Sequence, residues 1–337
     1  MKAVVQNILG QPADVLHLID TDEPLRPAPL DVLIDVTLSP VHHGDLHLIR
    51  SQSCIPEDVG FVRRGSEAVG IVRALGSEIE AQGNLRIGDR VIGFPAIGSW
   101  AERVTIPGFA AIPIPPELGD EVAAQLLINY VTARMILRGL RKSVPDAVLR
   151  GGVVLVTGAS TVVARLLLHF LQTEGLAAIG LARSVSSASR VAAEFVGTPV
   201  VASEADDWRA LITTHASERK IVSVLDCVSG SLVGDLVPLL ADDAAIITYG
   251  GLGGNRLGIS PLELVDHQFL IRGVTFSRWF SELSPQERDD DIRSAMQLAR
   301  DLPSFFKVGS IHGLVHFREA IAAVEAPNRD GFVFIKP

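Results

Sequence analysis

The stretch Gly152-Val-Val-Leu-Val-Thr-Gly-Ala-Ser-Thr-Val-Val-Ala164 limits what this chain can fold into more than any other segment. Val153–Val156 is apolar at every position, which suits a strand covered on both faces. Gly158 follows as a turn residue, hydroxyl side chains come next, and Val163–Thr173 has helical spacing. Strand, tight turn and helix in that order open a βαβ nucleotide-binding unit, whose helix start offers backbone N–H groups to a phosphate. The unit begins near residue 150, so the chain ahead of it has the length to build a domain of its own.

That leading segment is rich in turns and short alternating strands. Val32, Ile34, Val36 and Leu38 fall on one face by period two, with Asp35 and Thr37 opposite. Gly70–Gly76 and Arg90–Gly93 read as further strands, and Pro107, Pro113, Pro115 and Pro116 close the region. A mostly antiparallel, barrel-like β domain is expected. Downstream, Glu121–Leu140 has helical spacing, with Ala124, Leu127, Ile128 and Val131 on one face. Strand candidates at Val153–Val156, Ala178–Ala182, Val222–Asp226, Ala245–Tyr249 and Leu270–Phe276 alternate with helices such as Val163–Thr173 and Ser187–Phe195. That alternation implies an α/β class with a doubly wound parallel sheet. The tail offers helices at Pro285–Leu302 and Ala320–Val324 and a last strand at Gly331–Ile335. It is expected to return to the β domain, because the sheet is already complete. The expected division is residues 1–121, completed by 279–337, and residues 122–278.

Of 337 residues, 47% are hydrophobic and 20% charged, the composition of a globular protein. A net charge of −9 without a long basic run argues against a nucleic-acid partner or an anionic membrane surface. Apolar runs stop well short of a bilayer span, and no secretory leader is visible, so a cytoplasmic protein is expected. Cys54 and Cys227 cannot make a disulfide framework or a four-thiolate zinc lobe.

Leu85-Arg-Ile-Gly-Asp-Arg-Val91, Leu127-Ile-Asn-Tyr-Val-Thr-Ala133, Asp226-Cys-Val-Ser-Gly230 and Tyr249-Gly-Gly251 occur in an order and spacing similar to the medium-chain dehydrogenase/reductases. The chain most resembles the zinc-free branch of quinone oxidoreductases and mitochondrial-type 2-enoyl thioester reductases. Ile247–Gly251 and Arg272-Gly273 followed by Trp279 are especially similar to the enoyl reductases. The resemblance implies a GroES-like β-barrel catalytic domain joined to a Rossmann dinucleotide-binding domain. It also implies a homodimer paired through an edge strand, which would be Leu270–Phe276. Zinc-dependent members need ligands at three positions, matched here by His42, Ser66 and Ile128. Isoleucine cannot coordinate a metal, so no metal is expected. His42, His43 and His47 read as ordinary loop histidines, and Asp45 and Glu67 as carboxylates that hold loops by hydrogen bonds.

The cofactor implied is NADPH. Ser160 and Thr161 supply hydroxyl donors ahead of the helix, alongside Val162 and Val163 at its start. The relatives commonly carry glycine where Val162 stands, and its branched side chain is expected to crowd the pyrophosphate. The second strand ends in Arg183-Ser184 with no acid, as an NADP site requires, and these resemble the phosphate-binding positions of enoyl reductases. Tyr249, Gly250, Gly251 and Leu252, with Thr275 and Phe276 of the Val274–Phe276 segment, are similar to stretches that line the nicotinamide, and the glycines are expected to let the backbone approach it. Asn129 matches a cofactor-contacting asparagine. Where relatives often carry a lysine near the C-terminus, this chain has Phe332.

Without a Lewis acid, hydride addition is best suited to acceptors that delocalise the incoming charge, namely quinones and activated C=C bonds. A small-molecule electron acceptor is therefore the expected partner. Enoyl reductases have a loop tyrosine at a position matched by about Ser53, and none is present here. Tyr130 is one candidate to supply the missing hydroxyl, with Thr132 helping to orient nicotinamide or substrate; the other reading of Tyr130 is packing at a helix start. Trp100 is read as holding the β domain together and Trp279 as lining the substrate site. Two other functions stay open: a true 2-enoyl thioester reductase, and a nucleotide-binding sensor without catalysis.

Overall fold

The computed structural model describes residues 1–24, 26–51, 60–254, 256–326 and 329–337. They form two compact units, Met1–Ile128 with Arg293–Pro337, and Asn129–Ile292.

In chain order the first unit contains β1 (Lys2–Gln6), β2 (Leu16–Asp20), β3 (Asp31–Pro40), β4 (Val62–Arg63), β5 (Ala68–Leu75), β6 (Arg90–Gly93), β7 (Arg103–Pro107) and β8 (Ala111–Pro113). The second contains β9 (Val153–Thr157), β10 (Ala178–Ala182), β11 (Val200–Ala202), β12 (Ile221–Asp226), β13 (Leu240–Thr248) and β14 (Leu270–Gly273). The tail adds β15 (Val308–Gly313) and β16 (Phe332–Lys336) to the first unit.

The alternation in β3 works as the sequence implies. Val32, Ile34, Val36 and Leu38 are buried, and Asp35 on the other face accepts from Arg103 at 2.8 Å. β3 pairs antiparallel with β5 and β7, and β16 joins it at Phe334↔Pro40 and Ile335↔Ser39. The tail therefore does return to the β unit, where the helix Phe317–Glu325 shares a core with Val4, Leu16, Leu46, Ile49 and Trp100. Trp100 is fully buried and donates Nε1–H to the Pro40 carbonyl at 3.1 Å, the structural role expected of it.

The second unit is an all-parallel sheet in the order β11-β10-β9-β12-β13-β14. Chain direction across the sheet reverses between β9 and β12, which makes the carboxyl end of β9 the switch point where such sheets bind ligands. β9 is buried at all positions, and Val153, Leu155, Ile179, Leu181, Val224 and Ile246 anchor the core between sheet and helices.

Three expectations need correction. The helix expected over Glu121–Leu140 is two helices, Asp120–Ala123 and Leu126–Ser143, because the Glu67 carboxylate takes the first amides of the second one. β14 ends at Gly273, short of Phe276. The units divide at 128/129 and 292/293 and not at 121/122 and 278/279. The later boundary follows from Asp291, which is 2% exposed and accepts from Trp279 Nε1 at 2.9 Å and Arg138 Nη1 at 2.8 Å, tying the chain there to the Leu126–Ser143 helix.

Candidate functional site

At the end of β9, Gly158 has φ +59°, and a Cβ on it would come within 2.4 Å of Cys227 Sγ, so both backbone and space require glycine. The chain then turns, Thr161 N–H donating to the Gly158 carbonyl at 2.9 Å, into the helix Val162–Thr173. Thr161 caps this helix, its Oγ1 accepting from Ala164 N–H at 3.3 Å. The Thr161 oxygen thus accepts from the helix, and its hydroxyl hydrogen is left to donate. The N–H groups of Val162 and Val163 have no acceptor within the helix and lie at its positive end, the arrangement that draws anions. Ser160 is exposed at the turn, and Val162 is half-buried as the first helical residue. Ala164 is fully buried, where a small side chain lets helix and sheet approach.

Arg183 follows β10 and is exposed, and Ser184 caps the helix Val185–Glu194 by accepting from Ser187 N–H at 3.3 Å. Sequence reasoning missed Glu204, whose Oε1 accepts the Val185 N–H at 2.7 Å while its own N–H donates to the Arg183 carbonyl at 3.1 Å. A carboxylate therefore occupies a helix start beside the cation and hydroxyls expected to receive a 2′-phosphate. The only sequence signal was its position just past β11, a strand too short to stand out.

Asp226, fully buried, organises the ends of the central strands. It accepts from Thr157 Oγ1 at 2.7 Å, Val228 N–H at 3.1 Å and Ser229 N–H at 3.0 Å. Ser229 Oγ donates to the Gly250 carbonyl at 2.9 Å. The Tyr249 hydroxyl turns inward, is buried without hydrogen-bond geometry to any partner, and lies against the Cys227 thiol. Added Cβ atoms on Gly250 and Gly251 would meet Cys227 O at 3.0 Å and Gly254 O at 2.7 Å, so protein backbone also approaches both glycines. Leu252 is exposed and donates its N–H to the Cys227 carbonyl at 3.0 Å. Thr275 is exposed with its hydroxyl 3.1 Å from Ser277 Oγ, and Phe276 is half-buried, both in the loop after β14.

On the helix Leu126–Ser143, Asn129 is buried, Thr132 half-buried, and Tyr130 is 3% exposed with its ring edge-on to Phe170 at 5.5 Å. Trp279, read as lining the substrate site, is 3% exposed and donates its Nε1–H to Asp291 at 2.9 Å.

In the first unit buried His42, Asp45 and Glu67 form a polar cluster with half-buried Ser66. Glu67 Oε1 accepts from Leu127 and Ile128 N–H at 2.9 and 3.1 Å, and Oε2 lies 2.9 Å from His42 Nε2. Asp45 accepts from His42 N–H at 3.0 Å and from the Ser66 hydroxyl. Burial holds both carboxyls above their ordinary range, outweighing the hydrogen bonds they accept. Both carboxylates hold loops, as the sequence implied, but His42 is not an ordinary loop histidine, being buried and paired. Ser53 lies outside the described residues.

Residues 28–116 match the alcohol dehydrogenase GroES-like domain family. The mitochondrial enoyl-[acyl-carrier-protein] reductase of Dictyostelium discoideum is 24% identical over 308 residues, covering 86% of this chain and 82% of that protein. The human enzyme of the same name is 24% identical over 305 residues, covering 89% and 79%. Among solved structures, Escherichia coli quinone oxidoreductase complexed with NADPH superposes with a TM-score of 0.83 at 18% identity, covering all of both chains. Quinone oxidoreductase of Pseudomonas syringae gives 0.84 at 20% identity, covering 100% and 99%. The chain has the fold of the medium-chain dehydrogenase/reductases.

Medium-chain dehydrogenase/reductases of the zinc-binding kind would place ligands where His42, Ser66 and Ile128 stand. Here Glu67 engages the imidazole of His42 and the amide of Ile128, and Asp45 takes the hydroxyl of Ser66. Among the described residues no group of three or more His, Cys, Asp or Glu is arranged to hold a metal ion. No helix among them is long and apolar enough to cross a membrane.

Proposed function

We propose that this chain is an NADPH-dependent oxidoreductase that reduces quinones or activated C=C bonds, such as enones, without a metal. The observation that carries the reading is the turn after β9, where a positive-φ glycine delivers the chain into a helix with its first amides unpaired, at the switch point of the parallel sheet.

The residues fit the dinucleotide. Val162 and Val163 amides, with Ser160 and the Thr161 hydroxyl, hold the pyrophosphate; Arg183 and Ser184 hold the 2′-phosphate. Asn129, Tyr249, Gly250, Gly251, Leu252, Thr275 and Phe276 line the nicotinamide, and Thr132 orients it. Tyr130 packs, in view of its contact with Phe170. When bound, NADPH supplies the hydride that adds to the electron-poor carbon or ring of the acceptor. The protein need only position the partners, since the charge spreads into an enolate or hydroquinone. The open edge of β14, with Leu270 40% exposed, supports pairing of two copies there. A cytoplasmic location accords with the composition.

A 2-enoyl thioester reductase is the second reading, favoured by the similarity to mitochondrial enoyl reductases. NADPH consumption with a quinone, an enone and a crotonyl thioester in parallel decides between them. Turnover on the first two supports the lead reading, a marked preference for the thioester supports the second, and NADPH binding without turnover on any acceptor supports a sensor.

A further inference from the structure

Cys227 is the first residue after β12 and touches two segments assigned above to the cofactor. We propose that it is a positioning residue that couples the Gly158–Val163 turn to the Tyr249–Leu252 loop, so that both stand in place for one dinucleotide. The proposal rests on the reading of those segments as the NADPH site.

On the side of the turn, Cys227 N–H donates to Thr157 Oγ1 at 3.1 Å and its thiol reaches the Thr157 carbonyl at 3.5 Å. Its sulfur fills the space over Gly158, 2.4 Å from where a Cβ would stand, and the Thr161 hydroxyl that caps the helix also meets the thiol. On the side of the loop, the Cys227 carbonyl accepts Leu252 N–H at 3.0 Å. Its carbonyl oxygen and Cβ lie 3.0 and 3.3 Å from a Cβ built on Gly250, and the Tyr249 hydroxyl is buried against its sulfur. A shift of either segment must therefore move the same residue, whose sulfur meets the turn and whose Cβ meets the loop. Burial, ahead of the neighbouring Asp226 charge, pushes the thiol up to about 12, so it is a neutral, unreactive group that contributes shape and weak hydrogen bonds.

The test compares two probes on wild type, Cys227→Ala and Cys227→Ser. NADPH engages both segments, whereas 2′-phospho-ADP-ribose engages the turn and not the nicotinamide loop. Loss of coupling predicts that Cys227→Ala weakens NADPH about tenfold more than the fragment, and Cys227→Ser about two- to threefold more, since serine keeps a hydrogen bond at smaller volume. A purely structural role weakens both probes alike. Equal losses for NADPH and fragment, or no loss of either, overturn the proposal; if alanine prevents folding, the serine ratio alone decides in the same way. Failure of the wild-type protein to bind NADPH is seen separately, before any variant is compared, and removes the functional reading itself.

Discussion

Glu67→Ala removes one fully buried carboxylate that serves three partners: the Leu127 and Ile128 amides and the His42 ring. Each buried donor left without an acceptor costs about 1–3 kcal/mol, and breaking a buried pair costs about 3–5 kcal/mol in all. The expected loss is therefore about 3–5 kcal/mol, located in the first unit. Glu67→Gln keeps one oxygen for the Leu127 and Ile128 amides and turns an NH2 donor toward His42 Nε2 in place of the second acceptor, for about 1 kcal/mol. Urea unfolding followed by Trp100 emission, in a background lacking Trp208 and Trp279, reads the unit, and amide exchange at Leu127 and Ile128 reads the site itself. The pH dependence has a definite sign. Burial raises the Glu67 carboxyl above its ordinary 4.5, so its contribution is fully present below that value and is lost as pH rises through the folded-state value. The gap between wild type and Glu67→Gln should narrow as pH rises. An alanine variant within about 1 kcal/mol of wild type with unchanged amide protection, or a gap that widens with pH, refutes this reasoning.

Three further outcomes are expected. Tyr249→Phe removes a buried hydroxyl that meets no partner in hydrogen-bond geometry, so stability should rise by about 1 kcal/mol; a lower melting temperature counts against it. Glu204→Gln removes an exposed negative charge beside Arg183 and Ser184, which screened as in bulk water is worth about 1 kcal/mol, and should favour NADPH over NADH by about fivefold in binding titrations. Equal changes for the two cofactors would contradict it. Tyr130→Phe should leave turnover on the best enone within about twofold, since the ring contact with Phe170 is kept; a loss beyond about tenfold would make the hydroxyl catalytic.

Elements whose apolar pattern runs over their whole length were legible from sequence: β9, β10, the helix Val162–Thr173 and the alternating face of β3. The glycine at 158 was legible too, because a turn between strand and helix demands it. What the pattern could not carry were features decided by one distant polar group. The break at Ala124–Gln125 depends on Glu67, which takes the Leu127 amide from 60 residues earlier in the chain. The burial of Trp279 depends on Asp291, and the inward turn of Tyr249 on space beside Cys227. Glu204 reaches the Val185 amide from 19 residues away, across a strand of three residues. Hydrophobic period reports which faces are covered and is silent on which carboxylate finds which amide.

Metal-independent hydride transfer is tested most directly by following the absorbance of NADPH with a quinone and an enone after exhaustive chelation, with and without added zinc. The account predicts oxidation of NADPH that chelation leaves intact and zinc does not increase. Activity that disappears on chelation and returns with zinc would contradict it.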